Sequence, residues 1–267
     1  MKKINIIILT IILVAVTGFF VAEGLWANKL VLAVKQQDVN VVEKMVSHKG
    51  LFSVNRGTLV PIVTATSYPQ RALVVACEEG DPKMVKLLLK AGADPNKAGG
   101  GEYGVNQPLV AATTYIDDQA LYPVVKGLLQ YGADANVQRA AGEASPLLLT
   151  TEISVISYER DGERCTGVDM ELARTVVKTY RLLLEKTHDK NPVDVNGRTP
   201  LHWAAYMLNE PLVRYLVEEQ GVSVNEEDAE GLTPAQFCKQ GRDESDPFEV
   251  ELTEHMLALL HSMGQGS

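Results

Sequence analysis

The side chains able to act as nucleophile, base or metal ligand are few and scattered. Cys77, Cys165 and Cys238 supply the thiols, and His48, His188, His202, His255 and His261 the imidazoles. A zinc hydrolase of the His-Glu-x-x-His type sets two histidines four apart on one helix face. His255 and His261 do not have that spacing and the others stand alone, so no metal site is expected. A serine hydrolase needs Gly-x-Ser-x-Gly between strand and helix, and a phosphate cradle needs Gly-x-x-x-x-Gly-Lys followed by Ser or Thr. Neither occurs. Gly99-Gly100-Gly101 follows the Asp94-Pro95-Asn96 turn and lacks the Lys-Ser or Lys-Thr, so it reads as a flexible loop between elements. Acids and a thiol come together at Asp161, Glu163 and Cys165. No histidine is near them in sequence, and one short loop rarely preorganises acid, nucleophile and oxyanion donors together. The chain therefore reads as a non-enzyme without a cofactor.

Charge narrows the partners. Lysine and arginine number 25 against 34 acids, a formal net charge of −9, and no basic block follows Lys3. Nucleic acid, which needs clustered cations, is not an expected partner. The first residues differ from all the rest: Met1, Lys2 and Lys3 precede an uncharged run from Ile4 to Ala22. That run can just cross a hydrocarbon core as a helix. Its lysines favour a cytoplasmic N-terminus, which puts Glu23 onward on the far side, the periplasm in a bacterium. A cleavable signal peptide has the same basic start but a shorter apolar run. Ala22-Glu23-Gly24 and Leu25-Trp26-Ala27 are passable cut sites, yet the apolar length favours an uncleaved anchor over residues 1–27, with Trp26 in the interfacial belt. The expected location is the inner membrane with the body in the periplasm; the alternative is a soluble periplasmic protein after cleavage.

The body carries a repeating pattern. Arg71-Ala-Leu-Val-Val-Ala-Cys77 is followed by Glu78-Glu-Gly-Asp81 and then Met84-Val-Lys-Leu-Leu-Leu-Lys-Ala-Gly-Ala-Asp-Pro-Asn96. Thr199-Pro-Leu-His-Trp-Ala-Ala205 leads into Leu212-Val-Arg-Tyr-Leu-Val217 and ends at Val224-Asn225. Both segments resemble the ankyrin repeat, the second with its Thr-Pro-Leu-His opening intact. With these as templates, repeats are placed near 28–55, 71–96, 107–136, 145–196 with an insertion, 199–225 and 233–263. The fold expected is an all-α solenoid of about six helix-turn-helix repeats over 28–267, preceded by a transmembrane or signal helix. Ala33, Ala76, Ala204 and Ala205 fall on first helices that approach closely, while Leu and Val recur at three and four on second helices. Gly92 and Gly132 mark helix ends, and Ser145, Thr199 and Thr233 precede proline at helix starts. Asp243, Glu244, Asp246, Glu249, Glu251 and Glu254 give the last repeat the polar face of a cap.

The resemblance implies a binding role, with partners met by loop tips and the concave row of first helices. On this chain that face should include Glu78, Glu79, Thr114, Tyr115, Trp203, Tyr206 and Met207. Tyr206 and Met207 are the better contacts, because the position of Trp203 is often half buried. Three departures from the standard repeat add candidates: Arg56 to Tyr68, Ile116 to Tyr122 with Asp117 and Asp118, and Ile153 to Val168 with Tyr158, Arg160 and Arg164. In the resemblance His202 ties neighbouring repeats by hydrogen bonds, and Cys77 and Cys238, in distant repeats, are core residues too far apart to bridge. Cys165 is the thiol able to pair outside the fold. The partner expected is another protein, with a basic patch to match the acidic surface. In its most concrete form the chain is an immunity protein that neutralises a type VI secreted lipase toxin; an inner-membrane scaffold or a stress-enzyme partner is the alternative.

Overall fold

The computed structural model describes residues 2–50, 52–58, 69–101, 105–116, 118–138, 144–158 and 165–265, with side chains from Leu13 onward except those of Tyr158, Cys165 and Thr166. Among these residues the chain forms successive helix pairs: α1 (Lys2–Lys35) with α2 (Val39–Ser47), α3 (Ala72–Glu78) with α4 (Pro82–Lys90), and α5 (Pro108–Tyr115) with α6 (Leu121–Gln130). Then come α7 (Pro146–Leu149) with α8 (Met170–Lys186), α9 (Pro200–Tyr206) with α10 (Glu210–Arg214), and α11 (Pro234–Cys238) with α12 (Pro247–Gly264). First helices adjoin in chain order, α7 meeting α9 through the 3-10 turn Thr150–Glu152, and second helices α2 to α10 form a parallel row. This is the helical solenoid that the repeat spacing predicts.

Local chemistry starts and stops these helices. Proline stands in the first turn of α5, α7, α9 and α11, where its missing N–H costs nothing. Ser145 Oγ accepts from the Leu148 N–H, and Thr233 and Gln236 cap each other reciprocally. Asp38, Asp81, Asp169 and Asp246 cap four second helices the same way. Gly92 and Gly132 follow α4 and α6 at φ +93° and +89°, a backbone that a β-carbon would strain. Between the rows, every residue of α3 is buried, and α4 buries Met84, Val85, Leu88 and Leu89 on one stripe. Each such Val or Leu adds roughly 1.5–3 kcal/mol relative to full exposure.

Polar ties set the stacking register. Asn55 Nδ2 donates to Gly92 O at 3.0 Å and Asn55 Oδ1 accepts from Asp94 N at 2.7 Å. Asn96 repeats both bonds one unit on, to Gly132 O at 2.8 Å and Asp134 N at 2.8 Å, and Asn136 Oδ1 accepts from His188 N at 2.8 Å. Three asparagines, one per turn tip, thus clamp four consecutive units.

Helix α1 does two jobs without a break. From Leu13 to Ala22 every side chain is exposed, with Leu13 at 62% and Val14 at 64%. At Glu23 burial begins, and Ala27, Leu30, Val31, Ala33 and Val34 enter the core as the first helix of the first unit. Positions 27 and 28 are both buried inside this continuous helix. The part from Leu13 to Lys35 is long and apolar enough to cross a membrane.

Two stretches depart from the loop readings. Gly99–Gly100, read as a flexible segment, is strand β1, paired antiparallel with β2 (Val105–Asn106) and bridged to Gln70. The glycines are needed there because a β-carbon on Gly99 would collide with the Arg71 side chain, and one on Gly101 with the Glu78 carboxylate. Glu78, expected on the exposed first-helix face, is buried at the end of α3. The fourth-unit insertion begins and ends as a ribbon, β3 (Ile156–Tyr158) against β4 (Cys165–Val168), and β4 lies against α12.

Candidate functional site

The densest half-exposed chemistry on the first-helix row lies where α9 meets α11. Half-buried Trp203 and Tyr206 form the centre, packed on Phe237, which is itself buried. Tyr206 stacks on Phe237 with ring centroids 4.9 Å apart and planes at 26°, and Trp203 meets Phe237 edge-on at 5.4 Å. Two arginines close the stack: the Arg198 guanidinium lies 4.3 Å from the Phe237 centroid, and that of Arg242 lies 4.8 Å from Tyr206. The order Arg198, Phe237, Tyr206, Arg242 is a cation-capped aromatic ladder, each contact favoured by the ring quadrupole.

Every rung is held by further bonds. Arg198 pairs with Asp228 at 3.4 Å and Glu230 at 3.5 Å. Arg242 donates through Nε to Cys238 O at 2.8 Å, reaches Tyr206 O, and pairs with Glu249 at 3.3 Å. Trp203 Nε1 donates to Asp194 Oδ2 at 3.3 Å. Beneath the ladder His202 is fully buried: Nδ1 accepts from Thr199 N at 3.2 Å and Nε2 donates to Leu232 O at 2.9 Å. These partners fix the Nε2–H tautomer and join the fifth unit to the sixth, as the resemblance implies for this histidine. Both ring nitrogens are engaged, so the imidazole has no lone pair left for base catalysis.

Electrostatics here are structural. Burial alone would raise the Asp228 carboxyl, but N–H donation from Leu232 and Glu230 and the Arg198 guanidinium hold it below the usual carboxylate range. Burial pushes the Cys77 thiol far up, helped by the Glu78 charge, and raises Cys238 against the opposing effect of Arg242. Both thiols are buried and free, in units four apart along the stack. Among the described residues no group of His, Cys, Asp and Glu is arranged to hold a metal ion.

The predicted contacts fall into two groups. Trp203, Tyr206 and Met207 come together at the ladder, all half-buried. Tyr115 ends α5 two units away, half-buried and packed on the core, and Asp118 is exposed beside it, with Oδ1 accepting from Ala120 N at 2.7 Å. The buried helix α7 separates the groups. Asp117, Arg160 and Arg164 lie outside the described residues, and Tyr158 is placed by its backbone in β3. Tyr206 is less free than its sequence position implies, since Phe237 stacks on its ring and the Arg242 guanidinium lies against it. Sequence reasoning missed Phe237, Arg198 and Arg242. Phe237 follows Thr233-Pro234 at the spacing by which Trp203 follows Thr199-Pro200, and that parallel was the available signal.

Comparison with known proteins meets this geometry at the same residues. The ankyrin-repeat family model matches residues 71–99, and a model of ankyrin repeats in three copies matches 172–245, which includes the ladder down to Arg242. These stretches are ankyrin repeats. Such repeats generally mediate binding between proteins. The NF-kappa-B inhibitor cactus of Drosophila yakuba is 28% identical over 166 residues, 59% of this chain and 32% of that protein. Its counterpart in Drosophila melanogaster is 32% identical over 111 residues, 41% of this chain and 21% of that protein. The match thus spans about a third or less of the length of these relatives.

Proposed function

We propose that this chain is a membrane-tethered inhibitor that captures a protein on its first-helix face, with the half-buried Trp203 and Tyr206, backed by the buried Phe237, at the centre of the contact. The ladder carries this reading: Trp, Tyr and Arg dominate the energetic centres of protein interfaces because large rigid surfaces bind at low entropic cost. Met207 borders it, and Tyr115, Asp117 and Asp118 in the third unit and Tyr158, Arg160 and Arg164 in the insertion extend the footprint. The net charge of −9 favours a partner with a basic patch.

In the specific form we favour, α1 stays in the inner membrane, the repeats face the periplasm, and the partner is a lipase toxin delivered by a type VI secretion system. The exposed apolar turns of α1 support the tether. So does the packing of Ala27, since a cut after it would remove part of the helix that completes the first unit. Both matched relatives are named as inhibitors, which is the mode of action carried over here.

The test is lipase activity against added full-length protein in detergent. Stoichiometric loss of activity is expected, and Trp203→Ala or Met207→Glu should weaken it by about 30-fold or more, the scale of a central interface residue. Undiminished lipase activity beside the folded protein would overturn the toxin reading; full inhibition by both variants would overturn the assigned face.

A further inference from the structure

An open pocket of about 420 Å³ lies where α1 leaves the body, lined by Glu23, Arg56, Arg71 and Lys97 and by the backbone around Gly57 and Pro69. Three cations face one acid there, on a chain whose net charge is −9. Glu23 is spoken for: it accepts from Ser53 N at 3.3 Å and pairs with Arg56 Nε at 3.8 Å. Arg71 is locked in place, Nε donating to Ala98 O at 2.8 Å and a terminal nitrogen to Asn55 O, with its stem against Gly99. Partial burial lowers its pKa, and the Arg56 charge lowers it further against the opposing charge of Asp94, so the two guanidiniums feel each other. Like charges held together in this way are relieved by a shared anion, and planar guanidinium forks match phosphate oxygens.

The position of the pocket says which phosphate. The Arg56 guanidinium lies 5.6 Å from the Phe20 ring, on the last exposed turn of α1, and Phe19, Phe52 and Trp26 form a chain of ring contacts alongside at 6.1 and 5.8 Å. The unbroken run of exposed side chains on α1 ends at Ala22, and from Glu23 buried positions alternate with exposed ones. If α1 crosses a bilayer, the pocket is therefore at headgroup depth, among aromatic rings of the kind that mark that layer.

We propose that this pocket binds the phosphate of an anionic phospholipid headgroup and so fixes the repeat body at the membrane surface, an inference that rests on α1 lying in the membrane. The test uses the full chain reconstituted into phosphatidylcholine vesicles with or without phosphatidylglycerol. Lysines are acylated with an amine-reactive ester and read by peptide mass spectrometry, with Lys97 as reporter and exposed Lys29, on α1 outside the pocket, as internal reference. Phosphatidylglycerol should slow Lys97 severalfold relative to Lys29, and Arg56→Gln should remove that protection. An unchanged Lys97 to Lys29 ratio in both vesicle types overturns the site while leaving the membrane reading intact. Protection by inorganic phosphate with none from phosphatidylglycerol contradicts the lipid assignment. Release of the chain from both vesicle types by alkaline carbonate instead overturns the membrane reading beneath it.

Discussion

His202 shows how one side chain joins two units. It accepts from Thr199 N in its own helix start and donates to Leu232 O in the next unit, so truncation leaves the buried Thr199 N–H unpaired and removes the tie across the units, although Leu232 O keeps its bond from Asp228 N. His202→Ala should cost about 2–4 kcal/mol in urea unfolding, the sum of that desolvation penalty, the lost bond and a cavity. Asp228 gives the pH dependence its sign. Its folded pKa is lowered, so the native state binds fewer protons than the unfolded chain in the acidic range. Its contribution is present in full above the ordinary carboxylate value of ~3.9 and is lost as pH falls through the lower folded value. Asp228→Asn should therefore flatten the fall of Tm with pH below about 4. Cys77 and Cys238, buried and with raised pKa, should resist alkylation by iodoacetamide until the chain unfolds. The role of His202 was legible because Thr-Pro-Leu-His stands intact. The cationic caps were not, since Arg198 and Arg242 owe their place to stacking across units, and sequence order does not show it.

At the scale of elements, starts and stops were the most readable features, because a cap is a local event: Ser145, Thr199 and Thr233 before proline, and Gly92 and Gly132 at positive φ, all do what their types predict. The short ribbons were missed because two-residue pairing leaves no periodicity. Gly99 and Gly100 were read as freedom where they supply closeness. Gly99→Ala should force Arg71 from its position against the strand and destabilise the second unit by roughly 1–3 kcal/mol, the usual cost of overpacking. Thermal unfolding followed by circular dichroism would show it. The close of α10 was equally hidden. At Tyr215–Glu219 the helix widens into a π turn, with Tyr215 edge-on to Tyr180 at 6.1 Å and Arg181 4.1 Å from its ring, a tertiary preference that overrides the helical pattern.

As a whole molecule the chain couples a linear stack to a projecting helix. Apart from the contact of β4 with α12, the helices pack unit against neighbouring unit, so the apolar rows and the Asn55, Asn96 and Asn136 clamps fix the curvature unit by unit, and the first-helix face follows from them. Its general form was readable from repeat spacing; the placement of the ladder at one end was not, because it depends on which units carry aromatic residues at matching positions. Helix α1 runs unbroken from its exposed apolar turns into the first unit, so deletion of 1–27 should unravel that unit and, on the proposed membrane reading, release the chain, seen as lost protection of α2 in hydrogen exchange. The most direct test of the account is a hydrogen-exchange footprint of the full chain with and without the proposed lipase partner. Protection centred on 198–207 and 234–242, with a weaker patch around 115–122, is the predicted result; protection confined to the second helices α4, α6 and α8, with the ladder exchanging as in the free chain, would contradict it.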